Sequence, residues 1–154
     1  VCYVNDTREE IEKRIGFSAV LRENQIFSMP CEKVDYSYKA GYEAGKRLLG
    51  YEEEKRPSAV FCTSDVTALG LMDAARKEFG LRVPEDLSIV GYDDVPMARW
   101  EAYGLTTVRQ EYGKLVEETL ELIERFHGGW EGESVRRIEP RLSVRNSAAG
   151  YQEK

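Results

Sequence analysis

The sequence predicts an α/β domain, a parallel sheet with helices on both faces. Three observations carry this. Short apolar runs alternate with longer stretches of helical periodicity; the runs are nearly continuous in apolar residues, as strands buried on both faces are; and polar turn residues stand where each run ends. With 154 residues, 42% of them apolar, the chain can bury one core of ordinary size.

Val1-Cys2-Tyr3-Val4 reads as a strand already under way, and a fragment or proteolytic product is expected. Over residues 7–24, Ile11, Ile15, Phe17, Val20 and Leu21 recur at helical spacing behind Thr7-Arg8-Glu9-Glu10, a capping-box start with acidic residues in the first turn. A short strand is expected within residues 25–31. Residues 36–49 then place Ala40, Ala44, Leu48 and Leu49 on one stripe, and Gly50 stops the helix.

Pro57 introduces the apolar run Ser58-Ala59-Val60-Phe61-Cys62, and Thr63-Ser64-Asp65 offers caps for a helix over 66–79 that ends at Gly80. Val83-Pro84 breaks the chain before the strand Leu87-Ser88-Ile89-Val90-Gly91, whose carboxyl end opens into Tyr92-Asp93-Asp94. Residues 112–126 form a charged amphipathic helix. A glycine linker follows at 128–132, and residues 136–144 read as a strand pair interrupted by Pro140.

In a sheet of this kind, ligands bind in the crevice outside the carboxyl ends of the strands, so the loops there hold the candidate site. Asp93 is placed to accept hydrogen bonds from neighbouring ligand hydroxyls or ring N–H groups, and Asp94, one residue on, should point the other way. Ser64 and Asp65 follow the third strand, as ligand contacts or as helix caps, and Thr7 occupies the equivalent turn after the first.

The balance of 22 Lys and Arg against 28 Asp and Glu gives a net charge of -6, which opposes nucleic-acid binding by this segment. No apolar run approaches the roughly 20 residues that span a bilayer. Cys2, Cys31 and Cys62 are odd in number and set in apolar surroundings, as buried free thiols in a reducing cytoplasm. No metal spacing, phosphate loop or catalytic triad order occurs, and His127 beside the glycine linker reads as solvated; no catalysis and no cofactor are expected.

The run from Leu81 through Val83-Pro84-Glu85-Asp86 and Ile89-Val90-Gly91-Tyr92 to Asp93-Asp94 resembles the effector-binding domain of the LacI/GalR transcription regulators. So do the segments from Pro57 to Gly70 and Leu105-Thr106-Thr107-Val108-Arg109-Gln110. Lys13-Arg14-Ile15-Gly16-Phe17, Asp35-Tyr36 with Gly41-Tyr42, and Arg141 to Ser147 fall in the family's order, so the likeness covers nearly the whole chain. Asp6-Thr7 and Glu139-Pro140 resemble the arabinose-repressor branch.

The resemblance implies a periplasmic-binding-protein-like (type I) half-domain. It divides the chain into a C-terminal effector-binding lobe at 1–104, a crossover and helix of the missing N-terminal lobe at 105–135, and returning strands with a tail at 136–154. It makes Asp93 and Tyr36 ligand contacts, Tyr36 as an aromatic platform. A clamp for ligand oxygens falls on Lys13 or Arg14, which cannot both face one cleft because one helical step turns a side chain by about 100°.

The resemblance also implies a homodimer contact at Leu69, Met72, Met97, Trp100 and Tyr103. The implied function is cytoplasmic sensing of a sugar-like effector, with DNA bound only through a headpiece outside this chain. A periplasmic sugar-binding protein of the same fold is the alternative. Without a partner lobe, the helix at 112–126 is expected to refold onto this lobe or to exchange between chains.

Overall fold

The computed structural model describes residues 2–4 (backbone only), 8–27, 30–129, 132 and 135–150. The elements run β1 (Cys2–Val4), α1 (Arg8–Glu23), β2 (Glu32–Val34), α2 (Tyr38–Leu49), β3 (Ala59–Phe61), α3 (Asp65–Phe79), β4 (Ser88–Tyr92), β5 (Thr106–Arg109), α4 (Tyr112–His127) and β6 (Arg141–Ser143). β1 and β2 pair in parallel; β3, β4 and β5 are parallel neighbours, and β6 closes that sheet antiparallel to β5. The predicted alternation of strand and helix is the one observed.

Residue alternation along the strands puts helices on opposite faces. Val60 and Ile89 are buried in the core with α2 and α3, while Phe61 stacks on Phe17 of α1 with ring centroids 4.9 Å apart, and Tyr92 lies beneath Lys13 of α1. The core is Val34, Ala44, Leu48, Leu49, Leu71, Met72, Leu87, Ile89 and Leu105 with smaller neighbours.

Most of the core is made where α2 meets α3. α2 begins at Ser37, whose hydroxyl accepts the Ala40 N–H, and it buries Ala44, Leu48 and Leu49 as its stripe requires. α3 ends at Gly80 in the left-handed conformation, φ 64°, which glycine adopts without penalty. The two helices approach so closely that a Cβ on Gly41 would fall inside contact distance of the Thr67 carbonyl, and one on Gly70 inside that of Tyr38.

Several expectations are corrected. The second strand is Glu32–Val34, beyond the residue 25–31 window. At residues 136–144 the strand is Arg141–Ser143 alone, beginning after Pro140, which has no N–H to donate to a ladder. Cys31 is exposed and Cys62 buried, so the thiols are not uniformly interior. Leu69 and Met72 are 3% and 0% exposed within the lobe's own core, so neither has surface to offer a dimer partner. Of the remaining dimer candidates, Met97 and Tyr103 are half-buried, and Trp100, stacked on Tyr103, is 57% exposed.

α1 also departs from its pattern: Ile11, Ile15 and Val20 are exposed, because the sheet-facing line of the helix runs through Lys13 and Phe17. Thr7 and its capping box lie outside the described residues.

Thr106–Arg109 extends this sheet beside β4 and Leu105 is in its core, so the lobe continues past the boundary expected at residue 104. α4 has no buried residue and has not refolded onto the lobe, whose sheet faces already carry α1 and the α2–α3 pair. Among the described residues no helix is long and apolar enough to cross a membrane.

Gly70→Ala is expected to cost at least about 3 kcal/mol, because the added methyl meets backbone that cannot move without separating α2 from α3. Urea denaturation would show it, and a loss below about 1 kcal/mol would contradict the close approach.

Candidate functional site

The site is built by the turn that leaves β4. Asp93 and Asp94 both take positive φ, 119° and 55°, conformations that cost an L-residue energy unless surroundings enforce them. Here they are enforced. The Asp93 N–H donates to the Val108 carbonyl at 2.9 Å, the Val95 N–H donates to Asp65 Oδ2 at 2.9 Å, and Thr107 donates its hydroxyl to Asp65 Oδ1 at 2.5 Å. Asp65 thus fastens the start of α3, the β4 turn and β5 to one carboxylate.

Only glycine fits at 91, since a Cβ there would overlap Asp65 Oδ1. Burial pushes the Asp65 carboxyl up to about 6, against the pull of the Thr107 and Val95 hydrogen bonds and with the help of Asp93 and Asp94.

The C-terminal segment holds the other side of the turn. Asp94 receives Arg99 at 2.8 Å and also Arg145. Burial acts to raise its carboxyl, but these two guanidinium groups outweigh that and hold it below the ordinary carboxylate range. Arg145 also donates to the Leu105 carbonyl at 2.6 Å, and Ser147 bridges the Thr106 N–H and the Ile89 carbonyl. β4 and β5 are laced together beneath the turn.

Above it lies a cleft of about 540 Å³ lined by Glu9, Glu10, Lys13, Tyr36, Thr63, Asp93, Asp94, Val95, Pro96 and Tyr112. Lys13 reaches across from α1: its ammonium is 2.8 Å from Glu10, 3.1 Å from Glu9 and 3.3 Å from the Thr63 carbonyl, and sits 4.1 Å over the Tyr92 ring. Burial disfavours its charge, but the two carboxylates raise its pKa above the ordinary lysine value. Burial also raises the Asp93 carboxyl, opposed by Lys13 and by Gln110, whose amide is 3.4 Å away.

Of the candidate ligand contacts, Asp93, Tyr36 and Lys13 come together in this cleft, and Arg14 does not line it. Asp65 is 0% exposed and committed to Val95 and Thr107, so it braces the turn from behind and offers nothing to a ligand. Ser64 is 1% exposed at the N-cap of α3, yet its hydroxyl makes no cap bond and is unpartnered among the described residues. Thr7 lies outside them.

Sequence reasoning missed Glu9, Glu10 and Tyr112. The two glutamates were visible as carboxylates four and three residues before Lys13, a spacing that brings them together on a helix. Tyr112 carried no signal, because its place depends on how β5 lies beside β4.

Residues 1–148 match the family model of the periplasmic binding protein-like domain. The chain belongs to that family. Within it, the chain is of the LacI/GalR effector-domain type, as the segments around Asp93 implied. It is 37% identical over 138 residues to the HTH-type transcriptional repressor PurR of Klebsiella pneumoniae, covering 87% of this chain and 39% of that protein. PurR of Haemophilus influenzae is 38% identical, with 86% and 40% covered.

Its fold superposes with a TM-score of 0.86 on a LacI-family regulatory protein from Chloroflexus aggregans, 27% identical, over 96% of this chain and 54% of that one. The Lac repressor dimer bound to operator and the anti-inducer ONPF gives 0.85 at 25% identity, over 97% and 52%. The chain therefore spans about two fifths of these curated relatives and about half of these structures. The relatives named here are repressors or regulators by name.

Two predictions follow from the geometry. Asp65 is pushed up to about 6 in the folded state, above the ordinary carboxylate value of 3.8, so its contribution to stability is complete below the lower value and is lost as pH rises through the higher one. A displacement of about two pH units corresponds to roughly 3 kcal/mol. Asp65→Asn, whose amide still bonds Val95 and Thr107, should flatten the profile between about pH 4 and 6 in urea titrations; parallel profiles would contradict the assignment. Asp93→Gly should raise stability by about 1 kcal/mol, by relieving the positive φ and removing a desolvated carboxylate. An unchanged or lowered unfolding midpoint would count against strain there.

Proposed function

We propose that this domain senses a small polar effector, sugar-like in character, for a LacI/GalR-type transcription regulator. The observation that carries the reading is the cleft at the carboxyl ends of the strands, where the half-buried Asp93 carboxylate stands beside the exposed rings of Tyr36 and Tyr112. A carboxylate accepts from two neighbouring hydroxyls, and a ring face packs against the apolar side of a pyranose or a base. Ser64, with its unpartnered hydroxyl at the same end of β3, is a further contact once a ligand enters.

In this proposal the lobe comprises the chain to Arg109 with the returning strand β6, and α4 packs in a second lobe through Leu115, Val116, Leu120, Ile123 and Phe126, several of which are half or more exposed here. The effector lies between the lobes and favours one interlobe angle through its differential affinity for the two arrangements. That angle sets two headpieces on DNA in a homodimer joined around Met97, Trp100 and Tyr103. The protein works in the cytoplasm. The periplasmic sugar-binding alternative is not favoured, because the relatives that match are named repressors.

A thermal-shift screen of the full-length protein against pentoses, hexoses and purines tests this. A cognate ligand at about 100 times its Kd adds roughly 2.7 kcal/mol and raises the midpoint by several degrees. Asp93→Asn should abolish the shift. A secretory leader encoded upstream in place of a helix-turn-helix headpiece, or a full shift retained by the variant, would overturn the proposal.

A further inference from the structure

The charge lining the cleft is more specific than its shape. Glu9, Glu10 and Asp93 face it against a single lining cation, Lys13, and Asp94, the remaining lining carboxylate, is neutralised by Arg99 and Arg145. The ammonium of Lys13 is already committed. Its side chain and that of Glu10 are each 10% exposed, and it is held by Glu10, Glu9, the Thr63 carbonyl and the Tyr92 ring.

An anionic ligand would have to pull Lys13 away from its desolvated ion pair with Glu10, a costly exchange. It would then face Glu9 and Asp93 at close range. Lys13 in this cleft therefore braces α1 against β3 instead of clamping ligand oxygens.

Asp93 is in the opposite condition. Its carboxylate is half-buried, receives one long amide hydrogen bond of 3.4 Å from Gln110, and has no ion-pair partner among the described residues. A carboxylate desolvated this far gains most from a charged donor. Tyr36 and Tyr112 add two rings on the same cleft, 56% and 55% exposed, whose faces attract cations as well as packing on sugar C–H groups. A second hollow on the far side of the Asp93–Asp94 turn contains Arg99 and Arg109, but Arg99 is held by Asp94 at 2.8 Å and Arg109 lies 3.7 Å from Glu111, so it supplies no free positive site either.

We infer that the cleft selects a ligand bearing an ammonium group beside its hydroxyls, of the amino-sugar or polyhydroxylated-amine class, and rejects phosphorylated and carboxylated sugars. The inference rests on the effector-site reading above. The ammonium seats on Asp93 with Glu9 as a second, more exposed countercharge, and the carbon skeleton lies against Tyr36.

The test is amide NMR of the full-length protein near neutral pH, titrated separately with glucose and galactose, their 2-amino forms and their 6-phosphates, reading the resonances of Tyr36, Asp93 and Tyr112. The amino sugars should bind roughly fivefold to tenfold more tightly than the parent hexoses, and the phosphates should leave the cleft unperturbed. Asp93→Asn, which keeps shape and tolerates the positive φ, should erase the preference, and Glu9→Gln, at a largely exposed side chain, should reduce it. Phosphates that bind as well as amino sugars, or amino sugars no better than hexoses, overturn the inference and leave the effector site standing. No perturbation of the cleft by any of the six removes both.

Discussion

The carboxylate of Asp65 is the constraint on which the site depends. It is fully buried, and a buried carboxylate is tolerable only where its oxygens are occupied; here Thr107 and Val95 occupy them. Those two bonds tie the start of α3 to β5 and to the turn after β4. The space for the carboxylate exists because residue 91 is glycine. With Asp65 in place, the chain is forced through two consecutive positive-φ aspartates, which turn Asp93 towards the cleft and Asp94 towards Arg99 and Arg145. The backbone strain at the turn and the carboxylate it presents to the cleft have one cause.

The two neighbouring aspartates show how environment divides identical side chains. Asp94 is compensated by two arginines and is held acidic; Asp93 is desolvated without an equivalent partner and is pushed the other way. The first fixes the returning C-terminal segment to the turn, and the second faces the cleft without an ion-pair partner among the described residues. Lys13, one of the two basic residues expected to clamp a ligand, is held by Glu9 and Glu10.

Much of this was legible in residue patterns. The strand and helix order followed from local rules: continuous apolar runs for β3 and β4, the Ala44, Leu48 and Leu49 stripe for α2, and Gly80 at the end of α3. The carboxyl-end rule then pointed to Asp93, and the family resemblance to Tyr36. The failures share a cause. Leu69 and Met72 look like any helix-face residues until the closeness of α2 shows which side of α3 is interior. Asp65 and Ser64 are adjacent polar residues with similar prospects until β5 brings Thr107 to one of them.

The sequence by itself determined the fold class, the family, and the end of the sheet that carries the cleft, because these depend on periodicity and on residues near one another in the chain. The tertiary structure decided which polar groups are spent and which are free. That outcome turns on pairs separated by long stretches of chain: Asp65 with Thr107, Asp94 with Arg145, and Lys13 with the Thr63 carbonyl. A carboxylate's availability is set by whichever distant donor the fold delivers to it, and no local pattern encodes that delivery.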